Sequence, residues 1–289
     1  MAGARDDGSP EARSTPEGGV AAEVRHDTRI GDQDLTDWST PVGRGAARSA
    51  QRASSRLGPH GALALILGLG IVLAFVLAFL AARVYDAVTE SDGVAGLDVP
   101  LLHAAMGLRS PALDGIAAAV AVGFGPIGMP VIAVLACVLL AVRRRSITPV
   151  ILVVAAGLGS LLMTVAGKDI IDRHRPSLAD AIPPFEYSPS FPSGHTLNAT
   201  VILGVLAYLL VLRQRSAGAR VITVAAALVV SLVVGLTRIL LGAHWFTDVL
   251  AAWLLGAAWL ALVITAHRLY LTTRRRGAVE AVSQDADRR

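Results

Sequence analysis

The sequence predicts an all-α, polytopic membrane protein, a bundle of six transmembrane helices with its polar site at the non-cytoplasmic face. Three observations carry that expectation. Hydrophobic residues fill 54% of the 289 positions and charged residues only 17%, too apolar a balance for an ordinary soluble protein of this size. The apolar residues are gathered into long runs. Arginines cluster in alternate gaps between those runs, as short cytoplasmic loops do.

Residues 1–60 are rich in Gly, Ser, Pro, Asp, Glu and Arg. They bury too little surface to offset the entropy of ordering, so a disordered cytoplasmic tail is expected. Arg44, Arg48, Arg52 and Arg56 recur every four residues at its end, either as topogenic charge or as one helical face beside anionic lipid. The run 61–82 then holds 22 uncharged residues, roughly 33 Å of helix against a hydrocarbon core of about 30 Å. Polar sequence of this length before it argues for a retained span and against a cleaved export signal.

The stretch 112–125 is apolar but short, contains Asp114 and is broken by Gly123 and Gly125, so it reads as an interfacial or re-entrant piece. Runs at 126–142, 149–167, 196–212, 221–241 and 247–267 complete six spans and define a membrane domain over 61–270. Residues 271–289 read as a second, solvated cytoplasmic tail. With the amino terminus inside, the arginines at 143–145, Arg213, Arg215, Arg220, and Arg268 with the arginines at 274–276 all fall on the cytoplasmic side. Counting 112–125 as a full span would place these clusters outside.

The single cysteine, Cys137, excludes an intramolecular disulfide, a zinc cluster built on thiolates and a paired redox site; it reads as a small core residue. The net charge of +4 lies in arginine clusters without interleaved aromatics, so no nucleic-acid partner is expected. Oligomeric state is not legible.

Lys168 is the only lysine among 26 basic residues, and it stands where the third span gives way to polar sequence. Six residues separate it from Arg175; downstream lie Pro192-Ser193-Gly194-His195, and then Arg238, His244 and Asp248. The six-span topology brings all of these to one face. Three cations there repel one another unless an anion lies between them, and phosphate suits two planar forks and one point charge. Taken singly, each long side chain is as well explained by snorkelling to the headgroups. Ser193 and Gly194 open the fourth helix, where free backbone N–H groups bind anions, although PSGH alone is equally a turn and helix cap. His244 and Asp248, four apart, share a helical face. The carboxylate can hold one imidazole nitrogen protonated and leave the other free to attack phosphorus, or the pair is a structural cap. His195 suits protonation of a leaving oxygen.

The strings KDIIDRHRP, FPSGH and TRILLGAHWFTD resemble, in order, the three signature motifs of the type 2 phosphatidic acid phosphatase superfamily, the membrane lipid phosphate phosphatases. The resemblance covers about residues 60–270. It implies His244 as the nucleophile of a phosphohistidine, Asp248 as its orienting partner and His195 as general acid. Lys168, Arg175, Ser193, Gly194 and Arg238 would hold the phosphate; no metal and no cofactor is implied. Thr237 stands where the third motif usually has serine, which keeps a hydroxyl.

The expected activity is metal-independent hydrolysis of a lipid phosphomonoester or diphosphate in the bilayer, with polyprenyl diphosphate, phosphatidic acid and phosphatidylglycerol phosphate as candidates. A phosphotransferase using the same phosphohistidine, and a non-catalytic lipid phosphate binder or transporter, are the alternatives. Heavy arginine use suits a genome rich in G and C, and cysteine poverty together with the expected lipid site suits a bacterial plasma membrane. Asp169, Asp172, Arg173 and His174 read as loop or supporting groups, and Phe185, Tyr187, Phe191, Trp245 and Phe246 as interfacial aromatics. His103 reads as structural or interfacial, and His26, His60 and His267 as tail or helix-end residues without partners.

Overall fold

The computed structural model describes residues 93–286, with side chains through Arg274, and eleven residues between Asp27 and Arg48. The predicted span 61–82, Arg52, Arg56, His26 and His60 lie outside the described residues. Seven helices follow a 3-10 turn, Gly93–Leu97: α1 Asp98–Gly107, α2 Pro111–Gly123, α3 Gly128–Arg144, α4 Thr148–Ile171, α5 Gly194–Val211, α6 Ala217–Leu240 and α7 Phe246–Ala286. The regular strands are two residues each, β1 Arg29–Ile30 and β2 Gln33–Asp34, paired antiparallel.

Local chemistry sets the helix ends. Ser110 caps α2 by accepting from the Leu113 N–H at 3.3 Å, with Pro111 in the first turn, where its missing N–H costs no intrahelical bond. Ser216 caps α6 in the same way through Ala219. α4 ends at Asp172, whose φ of 44° is left-handed, a conformation that closes a helix.

Four helices, α4 to α7, are long and apolar enough to cross a membrane, the last over Phe246–Arg274. The α2–α3 pair, bent by 56°, passes the same test together. The stretch expected as an interfacial or re-entrant piece forms helix α2, separated from α3 by the break at residues 124–127. α5 is the central helix: Leu197, Val201, Val205 and Leu209 are completely enclosed by α4, α6 and α7. An apolar helix buried on every side belongs in a core. The outer helices instead expose apolar faces, such as Val134, Leu135 and Val138 on α3 and Leu228, Val229 and Leu232 on α6. Lipid covers such faces in a membrane protein. α4 lies close to α7 at Gly159, where a Cβ would fall 2.1 Å from the Trp259 ring, so only glycine allows that approach.

α7 runs on to Ala286, well beyond the expected end at 267 and through residues read as a solvated tail. Hydropathy ends there, but no proline follows and several strong helix formers do. His267, expected at a helix end without a partner, is buried, and its Nδ1 lies 2.8 Å from the Tyr208 hydroxyl.

The arginine clusters share one end of the bundle. Asp27, fully buried, lies 3.4 Å from Arg144 and 3.2 Å from Arg213, and Arg268 donates to the Leu35 carbonyl at 2.9 Å. Asp27 and Leu35, within the stretch expected to be disordered, thus pack against helix ends, and Leu35 joins the core with Leu209 and Leu212.

Candidate active site

At the opposite end, three loops converge. Lys168 sits in the last turn of α4, Arg173 and Arg175 just beyond it, Ser193 to His195 at the start of α5, Arg238 in the last turn of α6, and His244 and Asp248 around the start of α7. Gly242 makes the turn into His244 with φ 67°; a Cβ there would meet the Asp180 carbonyl at 2.5 Å. Both the left-handed backbone and the close approach require glycine.

His244 is 1% exposed at its side chain. Its Nδ1 lies 3.4 Å from Asp248 Oδ2 and 3.4 Å from Ser190 Oγ. Its Nε2 lies 3.2 Å from an Arg175 guanidinium nitrogen, which can only donate. This arrangement places the proton on Nδ1 and the lone pair on Nε2. Asp248 is held in turn by the Trp245 N–H at 2.9 Å, by the Ser190 hydroxyl and by Arg173 at 2.6 Å. Arg173 also pairs with Asp98 at 2.6 Å, and Asp98 accepts from the Thr247 N–H at 2.9 Å. Burial works against the Arg173 charge, yet the Asp248 and Asp98 carboxylates outweigh it and raise its pKa.

Arg175 and Arg238 meet at Glu186. Its carboxylate lies 2.8 Å from Arg175, 2.5 Å from Arg238, 3.3 Å from His195 Nδ1 and 3.7 Å from His244 Nε2. Burial alone would raise the Glu186 carboxyl, but His244, Arg238 and His195 hold it well below the usual carboxylate range. Arg238 is fully enclosed, and its Nε and Nη1 have no hydrogen-bond partner among the described residues. His195 Nε2 lies 3.1 Å from the Ala121 carbonyl of α2. Arg175 also donates to the carbonyls of Ser188 and Ala243, both at 2.6 Å.

The remaining residues singled out in the sequence stand further from this centre. Lys168 Nζ donates to Ser188 Oγ at 2.9 Å and to the Pro189 carbonyl, so it grips the loop that carries Glu186. Ser193 is buried, its hydroxyl 2.9 Å from that of Thr196 and its N–H donating to the Asp248 carbonyl. Gly194 packs against Thr164. Of the aromatics expected at the interface, Tyr187 and Phe185 are exposed, whereas Phe191 points inward at 5% exposure. A cleft of about 320 Å³ opens beside the site, lined by Arg175, Pro184, Glu186, Tyr187, Gly242 and Ala243 among others.

Glu186, Ser190 and Asp98 were not found by sequence reasoning. Glu186 and Ser190 lie between recognisable strings, and Asp98 is 149 residues from its partner Thr247. The one available signal was a lone glutamate nine residues before His195.

The long apolar helices, with a buried, carboxylate-backed histidine among convergent arginines at one end, define a multi-pass helical membrane protein with a polar site. The family model described as PAP2 superfamily matches residues 148–270. Phosphatidylglycerophosphatase B of Bacillus subtilis (strain 168) is 30% identical over 181 residues, 62% of this chain and 87% of that protein. The crystal structure of a transmembrane PAP2 type phosphatidylglycerolphosphate phosphatase from Bacillus subtilis is similar with a TM-score of 0.58 at 26% identity, covering 67% of this chain and 93% of that one. The chain belongs to the PAP2 superfamily.

Proposed function

We propose that this protein is a lipid phosphate phosphatase working through a phosphohistidine on His244. The observation that carries the reading is the His244 imidazole, with Nδ1 against Asp248 and Nε2 turned toward the place where Arg175, Arg238 and His195 converge. Nε2 attacks phosphorus, the ester P–O bond breaks, and His195 gives its proton to the leaving oxygen. Water then attacks the phosphohistidine, His195 takes a proton from it, and phosphate leaves. Arg175 and Arg238 stabilise the charge on the peripheral oxygens, with the unpartnered nitrogens of Arg238 available to two of them. Lys168, Ser193 and Gly194 complete the phosphate-binding set, Lys168 by its charge and its hold on the loop, Ser193 and Gly194 through the start of α5.

The substrate we favour is phosphatidylglycerol phosphate, the headgroup named for the Bacillus relatives, with phosphatidic acid and polyprenyl diphosphate as comparators. The site faces the non-cytoplasmic side of a plasma membrane, which the arginine-rich opposite end supports. The packing of Leu35 at that end and of Asp98 at the site end supports one crossing between them, where 61–82 is the apolar run. That makes six spans.

The test is phosphate release from the three lipids by purified protein in detergent, with and without EDTA. Release unaffected by EDTA and reduced about 10³-fold or more in His244→Ala is expected. Loss with EDTA, or full activity in His244→Ala, contradicts the reading.

A further inference from the structure

Glu186 occupies the position that a phosphate would need. Its two oxygens take Arg175 and Arg238, and they face His195 Nδ1 and His244 Nε2. A substrate phosphate reaching His244 must therefore displace this carboxylate. We infer that Glu186 is a specificity-determining residue, an internal competitor that admits terminal phosphate groups and turns away the phosphodiesters of bulk lipid. The inference rests on the phosphatase reading above and names how that site selects its substrate.

A phosphodiester headgroup carries a single negative charge on phosphorus, so exchanging it for the Glu186 carboxylate gains no net attraction, and its second ester arm adds bulk. A terminal phosphate approaches two charges near neutral pH and offers three free oxygens. It can keep the contacts to Arg175 and Arg238 and also reach the Arg238 Nε and Nη1 groups that Glu186 leaves without partners. A membrane enzyme with such a site is surrounded by phosphodiester lipid, so unguarded cations would be occupied by non-substrates.

Protonation does not open this gate in the working range. The cationic neighbours keep the Glu186 carboxyl below its ordinary value, so it is ionised at and above pH 5 and its contacts persist until far more acid conditions. Displacement is by competition. The loop is held on its other side by Lys168 and Arg175 through Ser188 and Pro189, and the Glu186 side chain is 22% exposed beside the cleft, which leaves it a place to swing.

The experiment measures inorganic phosphate binding by calorimetry to the full chain in detergent, for wild type, Glu186→Gln and Glu186→Ala. In parallel, dioleoyl phosphatidylglycerol is added to a phosphatidic acid hydrolysis assay. Both variants should bind phosphate about 10-fold or more tightly, with no narrowing of that gap between pH 5 and 8. Phosphatidylglycerol should inhibit the variants competitively and the wild type far less. Unchanged or weaker phosphate binding in both variants overturns the inference. So does tighter phosphate binding without any gain in phosphatidylglycerol inhibition, because selection against diesters is then absent. Phosphate binding needs no turnover, so failure of the phosphatase reading would show separately in the His244→Ala assay.

Discussion

Arg173 shows how a residue outside the expected phosphate set comes to matter. It joins Asp98, at the start of α1, to Asp248, which holds His244. Its side chain is 12% exposed, so truncation leaves two carboxylates facing each other in a largely dry site. Arg173→Ala should lower kcat about 10–100-fold with a smaller change in KM, and Arg173→Lys should recover part of it. Steady-state kinetics decide this; a loss confined to KM would mean that Arg173 binds substrate instead of positioning Asp248. The His244–Asp248 pair was legible from its spacing, but the contact is not made by a shared helical face: α7 starts at Phe246, and the turn before it brings His244 Nδ1 to 3.4 Å from Asp248. Glu186 was not legible, since a single acidic residue in a Pro-rich loop acquires its meaning only when the fold brings Arg175, Arg238, His195 and His244 to it.

Among the elements, the long apolar runs were the easiest to read. Hydropathy alone located α4, α5 and α6 to within a few residues, because a bilayer demands length and purity together. It misjudged α7, since helix propensity persists where apolarity stops, and it gave no hint of the hairpin that packs against the arginine-bearing helix ends. That hairpin supplies the buried Asp27 to Arg144 and Arg213, whose side chains are 5% and 34% exposed. Asp27→Asn should lower stability by about 1–3 kcal/mol, as expected when a buried charged partner is lost. Thermal unfolding in detergent checks this, with phosphate-release kinetics on the surviving protein unchanged. An unaltered Tm would show that the hairpin contributes nothing to the bundle. The hinge between α2 and α3 was legible only as a break, from Gly123, Gly125 and the short run before them. Its place beside the site, with Ala121 against His195, required the fold.

Across the whole molecule, charge is sorted by end. Arg144, Arg213 and Arg268 gather around the Asp27–Leu35 segment at one end, while Arg173, Arg175 and Arg238 gather around carboxylates at the other. The first set follows membrane insertion and is readable from loop positions alone. The second is chemical, and each of its arginines is matched by an acid that local sequence does not announce. Between the two ends lies an apolar bundle; in the proposed reaction a lipid keeps its chains in the bilayer while its phosphate enters the polar site. The central claim is that this phosphate passes through His244. The direct measurement is alkaline quenching of wild-type protein within the first turnovers on lipid bearing labelled terminal phosphate, followed by peptide mass spectrometry. Label that is acid-labile, alkali-stable and located on His244 is the predicted result; phosphate release at the normal rate with no label on His244 would contradict it.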